Sequence, residues 1–394
     1  MWERRLFVNI LFVRLSYIGD ILHATAAARW IKQRYPNAIL HWIVTPSMAE
    51  LLEHNPYVDH IIPWERDVYE AHSKKLHLCT MWNMWWDLRK QLQPYQFDIA
   101  VDVQGRLITG LVLLATGAPI RLGLGGTKEL NWLFTNYKSK DRSKHVIEQY
   151  LEVTQLLPMA IQQSSLKDRG TVETSNQDLL ANDASETTRS DESFDDINQM
   201  DLFVTDEEQQ QAQSEIAHVF TDKEKPTIGI VLGSSWQTKS WPSEKWQQLI
   251  ESMSYRSNFI CFGGPKEEKD FTSLMQYVEK EELPVYIKLG KTTLREMAAL
   301  LQACDVVVSC DTGALHMAIA LNRPVVALFG PTNPAEWGPL TGLYRVIQNH
   351  DMNCLGCRKR KCPKGKAYCM SGIDPIWVKE NIIELLDVVS SEVR

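Results

Sequence analysis

The sequence predicts an α/β protein of two units, each a parallel sheet covered by helices on both faces. Three observations predict it. In both halves of the 394-residue chain, short β-rich apolar runs alternate with longer helical segments. The alternation breaks once, over residues 161–198, where Ser, Thr, Asn, Gln, Asp and Glu dominate. Small polar turns recur where a strand run passes into a helix, the edge at which open α/β sheets bind ligands.

In the first half, Leu6 to Leu15 reads as a strand and Ile21 to Tyr35 as an amphipathic helix closed by Pro36. Ile39 to Val44 follows as a strand, then a helix around Met48 to His54, a strand over Val58 to Ile62, a strand over Phe97 to Val103 and a helix over Leu107 to Ala115. This rhythm defines a first domain over 1–160. Residues 161–198 cannot bury enough apolar surface to offset their ordering entropy, and are expected to be a disordered acidic insertion or linker. A second domain over 199–376 carries strand runs at Thr227 to Leu232, Asn258 to Phe262, Asp305 to Ser309 and Pro324 to Phe329. Helices are expected at Ser243 to Met253, Glu267 to Glu279 and Thr293 to Ala303. A final helix over 377–394 is expected to pack back on the first domain. Two sheet domains of one type make the crevice between them the natural ligand site.

Hydrophobic residues make up 44% and charged residues 23%, the balance of a globular protein. A net charge of -7 argues against a nucleic-acid partner. No apolar run approaches the ~20 residues a membrane-spanning helix needs, and Arg14 interrupts the N-terminal apolar run as no signal peptide would. The expected location is cytoplasmic, where the eight cysteines stay reduced.

Four strand-end turns carry candidate chemistry. Ser16 to Asp20 contains Gly19, which permits close backbone approach, and Asp20, whose carboxylate the helix dipole stabilises. Asp20 is either a general base or an ordinary helix-start acid. Gly233 to Pro242 holds Ser234, Ser235 and Lys239, donors suited to a diphosphate, though the spacing of a Walker A loop is missing. Ser309 to His316 places Asp311, Thr312 and Gly313 at a helix start, where unpaired N–H groups favour an anion. His316 lies one turn further on, to reach a phosphate or to pack. Gly263 to Glu268 offers Glu267 at a position suited to gripping ribose hydroxyls.

Two further segments stand apart. Cys354, Cys357, Cys362 and Cys369 follow a C-x2-C-x4-C-x6-C spacing among basic residues. A structural zinc, free reduced thiols and a redox or cluster role all remain open for it. Met81 to Leu88 carries three tryptophans on about two helical turns, for the core, an apolar acceptor or a membrane interface.

Taken together the motifs resemble glycosyltransferase family 9, the lipopolysaccharide heptosyltransferases. Ser16 to Asp20 is similar to the family's S-x-x-G-D turn, and Phe97 to Gly105, with Gln104, to its YD-x-x-x-D-x-Q-G segment. Lys239 to Pro242 resembles K-x-W-P. Asp311 to His316 resembles D-T-G-x-x-H and is followed by Arg323-Pro324, and Phe329 to Thr332 resembles F-G-P-T. Many members also carry a cysteine-rich segment near the C-terminus. The resemblance implies a GT-B architecture, two Rossmann-like domains with parallel sheets facing across a cleft, and inverting transfer of heptose from ADP-heptose to a lipid-linked core oligosaccharide. It implies Asp20 as base, Gly19 and Gln104 on the acceptor side, Ser234, Ser235, Lys239, Asp311, Thr312, Gly313 and His316 around the donor diphosphate, and Glu267, or Glu268 in its stead, at the ribose. No cofactor is expected for catalysis, and contact with the inner membrane is expected to be peripheral. The alternatives are another nucleotide sugar or glycan on the same fold, or a non-catalytic protein organised by the cysteines.

Overall fold

A computed structural model describes residues 8–127, 129–140, 143, 145–168 and 194–392. The chain divides into two compact units, Met1–Asn198 and Gln199–Arg394. No helix of the described residues is long and apolar enough to cross a membrane.

The first unit holds a six-stranded parallel sheet in the order β3-β2-β1-β4-β5-β6. Its strands are β1 (Asn9–Val13), β2 (Ile39–Val44), β3 (His60–Pro63), β4 (Ile99–Asp102), β5 (Ile120–Gly123) and β6 (Tyr137–Lys138). The second unit repeats the plan in the order β12-β11-β10-β7-β8-β9. Here the strands are β7 (Thr227–Val231), β8 (Asn258–Gly263), β9 (Val285–Leu289), β10 (Val306–Cys310), β11 (Val325–Leu328) and β12 (Tyr344–Ile347). In each unit the first strand lies beside the fourth, so the direction of winding reverses between them. A switch point lies at the carboxyl ends of β1 and β4, and another at those of β7 and β10. The fold is the pair of Rossmann-like α/β units expected from the sequence.

The central strands form where the sequence is continuously apolar, because helices bury both sheet faces. Residues 10–13 of β1 and 306–308 of β10 are almost wholly inaccessible. The helices carry their own boundary signals. Ile18–Arg34 has Asp20 in its first turn and Lys32 and Arg34 in its last, complementing the dipole. Asp206–Val219 opens on a reciprocal Thr205–Glu208 cap, and Leu294–Gln302 on the same device from Thr293 and Glu296.

Several expectations are corrected. The helix around Met48 to His54 is a 3-10 segment, Pro46–Leu52, led by its proline. The helix over Glu267 to Glu279 is two, Pro265–Asp270 and Thr272–Lys280. Residues 161–198 are helical at both ends. Leu157–Asp168 runs into the segment, and Phe194–Asn198 closes it, with the Asp196 carbonyl accepting from Arg29 at 2.7 Å. The rest of that segment, 169–193, lies outside the described residues. The C-terminal helix spans Pro375–Glu392 and buries Val378, Ile382 and Leu385 in the core of the second unit, beside β10, β11 and β12. Its apolar face therefore serves the second unit.

Candidate functional site

The first switch point is built on a buried cation. After β1 the chain runs through Arg14 to the Ser16–Asp20 turn. Asp20 lies in the first turn of Ile18–Arg34, as expected, with Gly19 beside it. Arg14 Nη2 stands 2.6 Å from Asp20 Oδ2, Nη1 donates to the Val103 carbonyl at 3.2 Å, and the guanidinium lies over the Tyr150 ring. Burial opposes the Arg14 charge, yet Asp20 and its other neighbours hold its pKa above the ordinary value. A second cation, Arg66, donates to Ser16 Oγ and lies over the Tyr17 ring.

The end of β4 plays a different part. Asp102 is fully buried and accepts from the Gln104 and Gly105 amides, Thr109 Oγ1 and Asn131 Nδ2, at 2.7 to 3.1 Å. Burial raises its carboxyl pKa despite those four donors. Gln104 Oε1 accepts from the Leu15 amide at 2.9 Å, tying the β4 turn to the β1 turn. Gln104 thus holds the first switch point in shape.

The second switch point gathers most of the expected donor-side residues. Lys239 Nζ lies 2.6 Å from Asp311 Oδ2 and 4.6 Å from the centre of the Trp236 ring. His316 Nε2 stands 3.6 Å from Asp311 Oδ1. Burial pushes the Asp311 carboxyl up, but His316 and the Lys239 ammonium outweigh it and hold the carboxyl well below the usual range. Thr312 caps Gly313–Ala320, its hydroxyl accepting from the Leu315 amide and lying 3.1 Å from Ser309 Oγ. Ser234 Oγ donates to the Trp236 carbonyl at 2.6 Å and shapes the loop, while Ser235 is exposed. Glu267 reaches the same place from the neighbouring strand end. Its carboxylate accepts from the Gly264 amide at 3.0 Å and covers Gly233, where an added Cβ would lie 2.3 Å from Glu267 Cγ. Glu268 points to solvent.

The cysteine segment lies against these loops. The Gly356 amide donates to the Gly330 carbonyl, the Arg358 amide to the Pro331 carbonyl and Thr238 Oγ1 to the Lys359 carbonyl, at 2.7 to 3.0 Å. Arg360 lies over the Trp236 ring, 5.1 Å from its centre. Cys354, Cys357, Cys362 and Cys369 line one cavity of about 70 Å³, and all four are free thiols. Burial, then the neighbouring thiols, raises the Cys369 pKa. Among the described residues, however, no three His, Cys, Asp or Glu side chains converge closely enough to hold a metal ion. The thiol chemistry suits zinc; the spacing of the thiols as placed does not.

A family model described as glycosyltransferase family 9 (heptosyltransferase) matches residues 85–368, well over half of the chain. The chain belongs to glycosyltransferase family 9. It is therefore a glycosyltransferase. The lipopolysaccharide core heptosyltransferase OpsX of Haemophilus influenzae is 24% identical over 88% of this chain and 85% of its own. Lipopolysaccharide heptosyltransferase 2 of Escherichia coli is 25% identical over 96% and 99%. The solved structure of E. coli ADP-heptose LPS heptosyltransferase II superposes with a TM-score of 0.71 at 22% identity, covering 97% of this chain and 100% of the other, a likeness of fold.

In this family 9 enzyme, reasoning from sequence missed Arg14, Arg66 and Arg360. Arg14 carried a legible signal, a lone cation at the end of a buried strand run six residues before Asp20. Arg66 and Arg360 reach their rings from distant loops, and nothing local marks them.

Proposed function

We propose that this family 9 enzyme transfers heptose from ADP-heptose to a lipid-linked lipopolysaccharide core oligosaccharide, with inversion. The reading is supported by the family match and by the names of its relatives. The single structural observation that carries it is the Lys239–Asp311–His316 cluster at a switch point, with Glu267 beside it. Asp20 takes the proton of the acceptor hydroxyl as its oxygen bonds to the anomeric carbon. The bond from that carbon to the diphosphate oxygen breaks, and the electron pair leaves with ADP. Lys239 has three N–H donors, so it can keep Asp311 and still meet a phosphate oxygen. Together with the Thr312–Gly313 helix start it offsets the charge that grows on the leaving group. Ser234 and Ser235 line the same loop, and Glu267 takes the ribose hydroxyls. Gly19 and Gln104 shape the acceptor side, and the enzyme works in the cytoplasm at the inner membrane surface, where its acceptor lies. No cofactor takes part in these steps.

Asp20→Asn tests the assignment. Turnover is expected to fall about 10²–10⁴-fold, the usual contribution of a positioned base, while ADP affinity stays unchanged by calorimetry. Undiminished turnover removes Asp20 from this role. Thermal stabilisation by UDP-sugars in place of ADP-heptose overturns the donor assignment. The structural zinc is proposed for the four cysteines on the strength of the cavity they share, and requires them to draw together. About one zinc per chain by elemental analysis, lost in Cys354→Ser, is the expected result; a metal-free preparation in which these four thiols titrate as readily as Cys79 refutes it.

A further inference from the structure

We propose that the helical hairpin of residues 66–92 is a membrane-docking element whose tip and outer stripe enter the headgroup region of a bilayer carrying anionic lipid. The biological need for it rests on the lipid-linked acceptor proposed above. The physical argument starts from what packing asks of Leu78–Leu92. One apolar face suffices, and the helix has it. Leu88 and Leu92 are buried in the core of the first unit, Met81, Met84 and Trp85 pack against that core, and Trp85 Nε1 donates to the Leu111 carbonyl at 2.9 Å. The rest of the surface should then be polar, and the face directly opposite, with Asn83, Asp87 and Lys90, is. On the flank between the two, however, Leu78, Trp82 and Trp86 follow one another at four-residue spacing, 68%, 59% and 40% exposed. Trp82 and Trp86 also touch ring to ring, with centroids 5.9 Å apart.

The tip continues the stripe. Leu76, between the helices Arg66–Lys74 and Leu78–Leu92, is 77% exposed and takes a left-handed φ of 55°. Glycine or asparagine adopts that conformation more readily than leucine does. At 77% exposure its side chain adds little to the core of the unit.

Charge selects the occupant. The chain carries a net charge of -7, yet no carboxylate occurs between Glu70 and Asp87. Lys74 and Lys75 immediately precede Leu76, and the Arg89 guanidinium lies about 6 Å from the ring centres of Trp85 and Trp86. Leucine and tryptophan side chains bracketed by long cations match a headgroup layer. Indoles settle there with the N–H wet, and lysine ammonium groups meet lipid phosphates. A second protein is the poorer fit. Four exposed side chains offer far less than the roughly 800 Å² per partner of a stable interface.

The test uses the full chain with vesicles of phosphatidylcholine alone and with phosphatidylglycerol added. Sedimentation with the anionic vesicles only, weakened by salt, is expected. Trp82→Ser with Trp86→Ser, and separately Lys74→Glu with Lys75→Glu, are each expected to lower the partition coefficient by about ten-fold or more. Leu76→Asn relieves the backbone and should also weaken binding, with the thermal midpoint kept or raised. All three should transfer sugar to a water-soluble acceptor fragment as the parent does. Parent and variants binding alike, or a parent that binds neither vesicle, overturns the proposal. So does a concentration-dependent dimer that the tryptophan changes abolish while vesicle binding persists. A parent that binds anionic vesicles but transfers no heptose leaves the docking surface supported and sinks the heptose reading instead.

Discussion

The two units share a strand order and use it in opposite ways. In the first, the carboxyl end of β1 presents an acid, Asp20, backed by the buried Arg14. In the second, the carboxyl end of β7 leads to a cation, Lys239, backed by the buried Asp311. Within each pair the more exposed partner is the one assigned to the substrate. The Asp20 side chain is 20% exposed against 9% for Arg14, and Lys239 is 13% against 8% for Asp311. Topology supplies two equivalent places, and the sign of the buried counter-charge sets which charge each presents: a carboxylate at the proposed base, an ammonium at the proposed diphosphate site.

The sharpest way to break this comparison is to remove the exposed cation. Lys239→Gln is expected to lower turnover about 10²–10³-fold, the usual loss when one donor to a developing negative charge is removed. Steady-state kinetics with ADP-heptose checks it. A loss below five-fold would place the leaving-group charge elsewhere. A change at the switch point of the first unit, Asp102→Ala, acts on stability. It removes the acceptor of four donors, of which Thr109 Oγ1 and Asn131 Nδ2 keep the Arg106 carbonyl while the Gln104 and Gly105 amides lose theirs, and about 3 kcal/mol of destabilisation is expected. Denaturant unfolding should show it in the first unit while ADP binding by the second survives.

Much of this contrast is legible in the sequence, and the limits have physical causes. The central strands β1, β2, β4, β7, β8, β10 and β11 are mostly apolar because both faces are buried, so they announce themselves despite isolated polar residues such as His41 and Asp102. Of the edge strands, β3 was legible but β6, β9 and β12 were not, since residues such as Lys138, Lys288 and Arg345 interrupt their pattern. Strand β5 is short and carries Arg121, whose guanidinium donates to the Phe134 and Ala118 carbonyls. At the site, Asp20, Lys239, Asp311 and His316 were readable because each sits at a strand-to-helix turn. Arg14 itself stood out as a cation at a strand end, but its pairing with Asp20 was not readable, because spacing alone cannot orient a side chain that joins a strand end to the next helix turn. Arg360 was hidden for another reason: only the docking of the cysteine segment on the Gly330–Pro331 turn brings it to Trp236.

A smaller effect is expected where Glu267 meets the Gly233–Pro242 loop. Gly233 has a φ of 74°, and an added methyl would collide with Glu267 Cγ. Gly233→Ala should cost about 1–2 kcal/mol in the second unit and displace Glu267. A several-fold rise in KM for the donor, with kcat nearly kept, would fit a ribose contact. Unchanged KM would separate Glu267 from the donor.

The smallest expected effect distinguishes the units by pH. His41 lies in β2 of the first unit, stacked on His60 and edge-on to Tyr95 and Phe97. Burial, and then the nearby His60, lower its pKa to about 4, with Asp59 opposing them. In the unfolded chain a histidine titrates near 6.5. As pH falls from about 6.5 towards 4, the unfolded state gains a proton that the folded state refuses, so the first unit loses stability across that window and loses no more below it. The second unit behaves otherwise. Its Asp311 carboxyl is held below the usual range, so that contribution is complete above the unfolded carboxylate pKa of about 4 and declines only in stronger acid. Hydrogen exchange at pH 7 and pH 5 should therefore show β1–β3 loosening while β7 and β10 hold. In His41→Phe, where no ring nitrogen remains to be protonated, the difference between the two pH values in β1–β3 should shrink. Equal loosening of both units in the parent would assign the acid sensitivity to some other group.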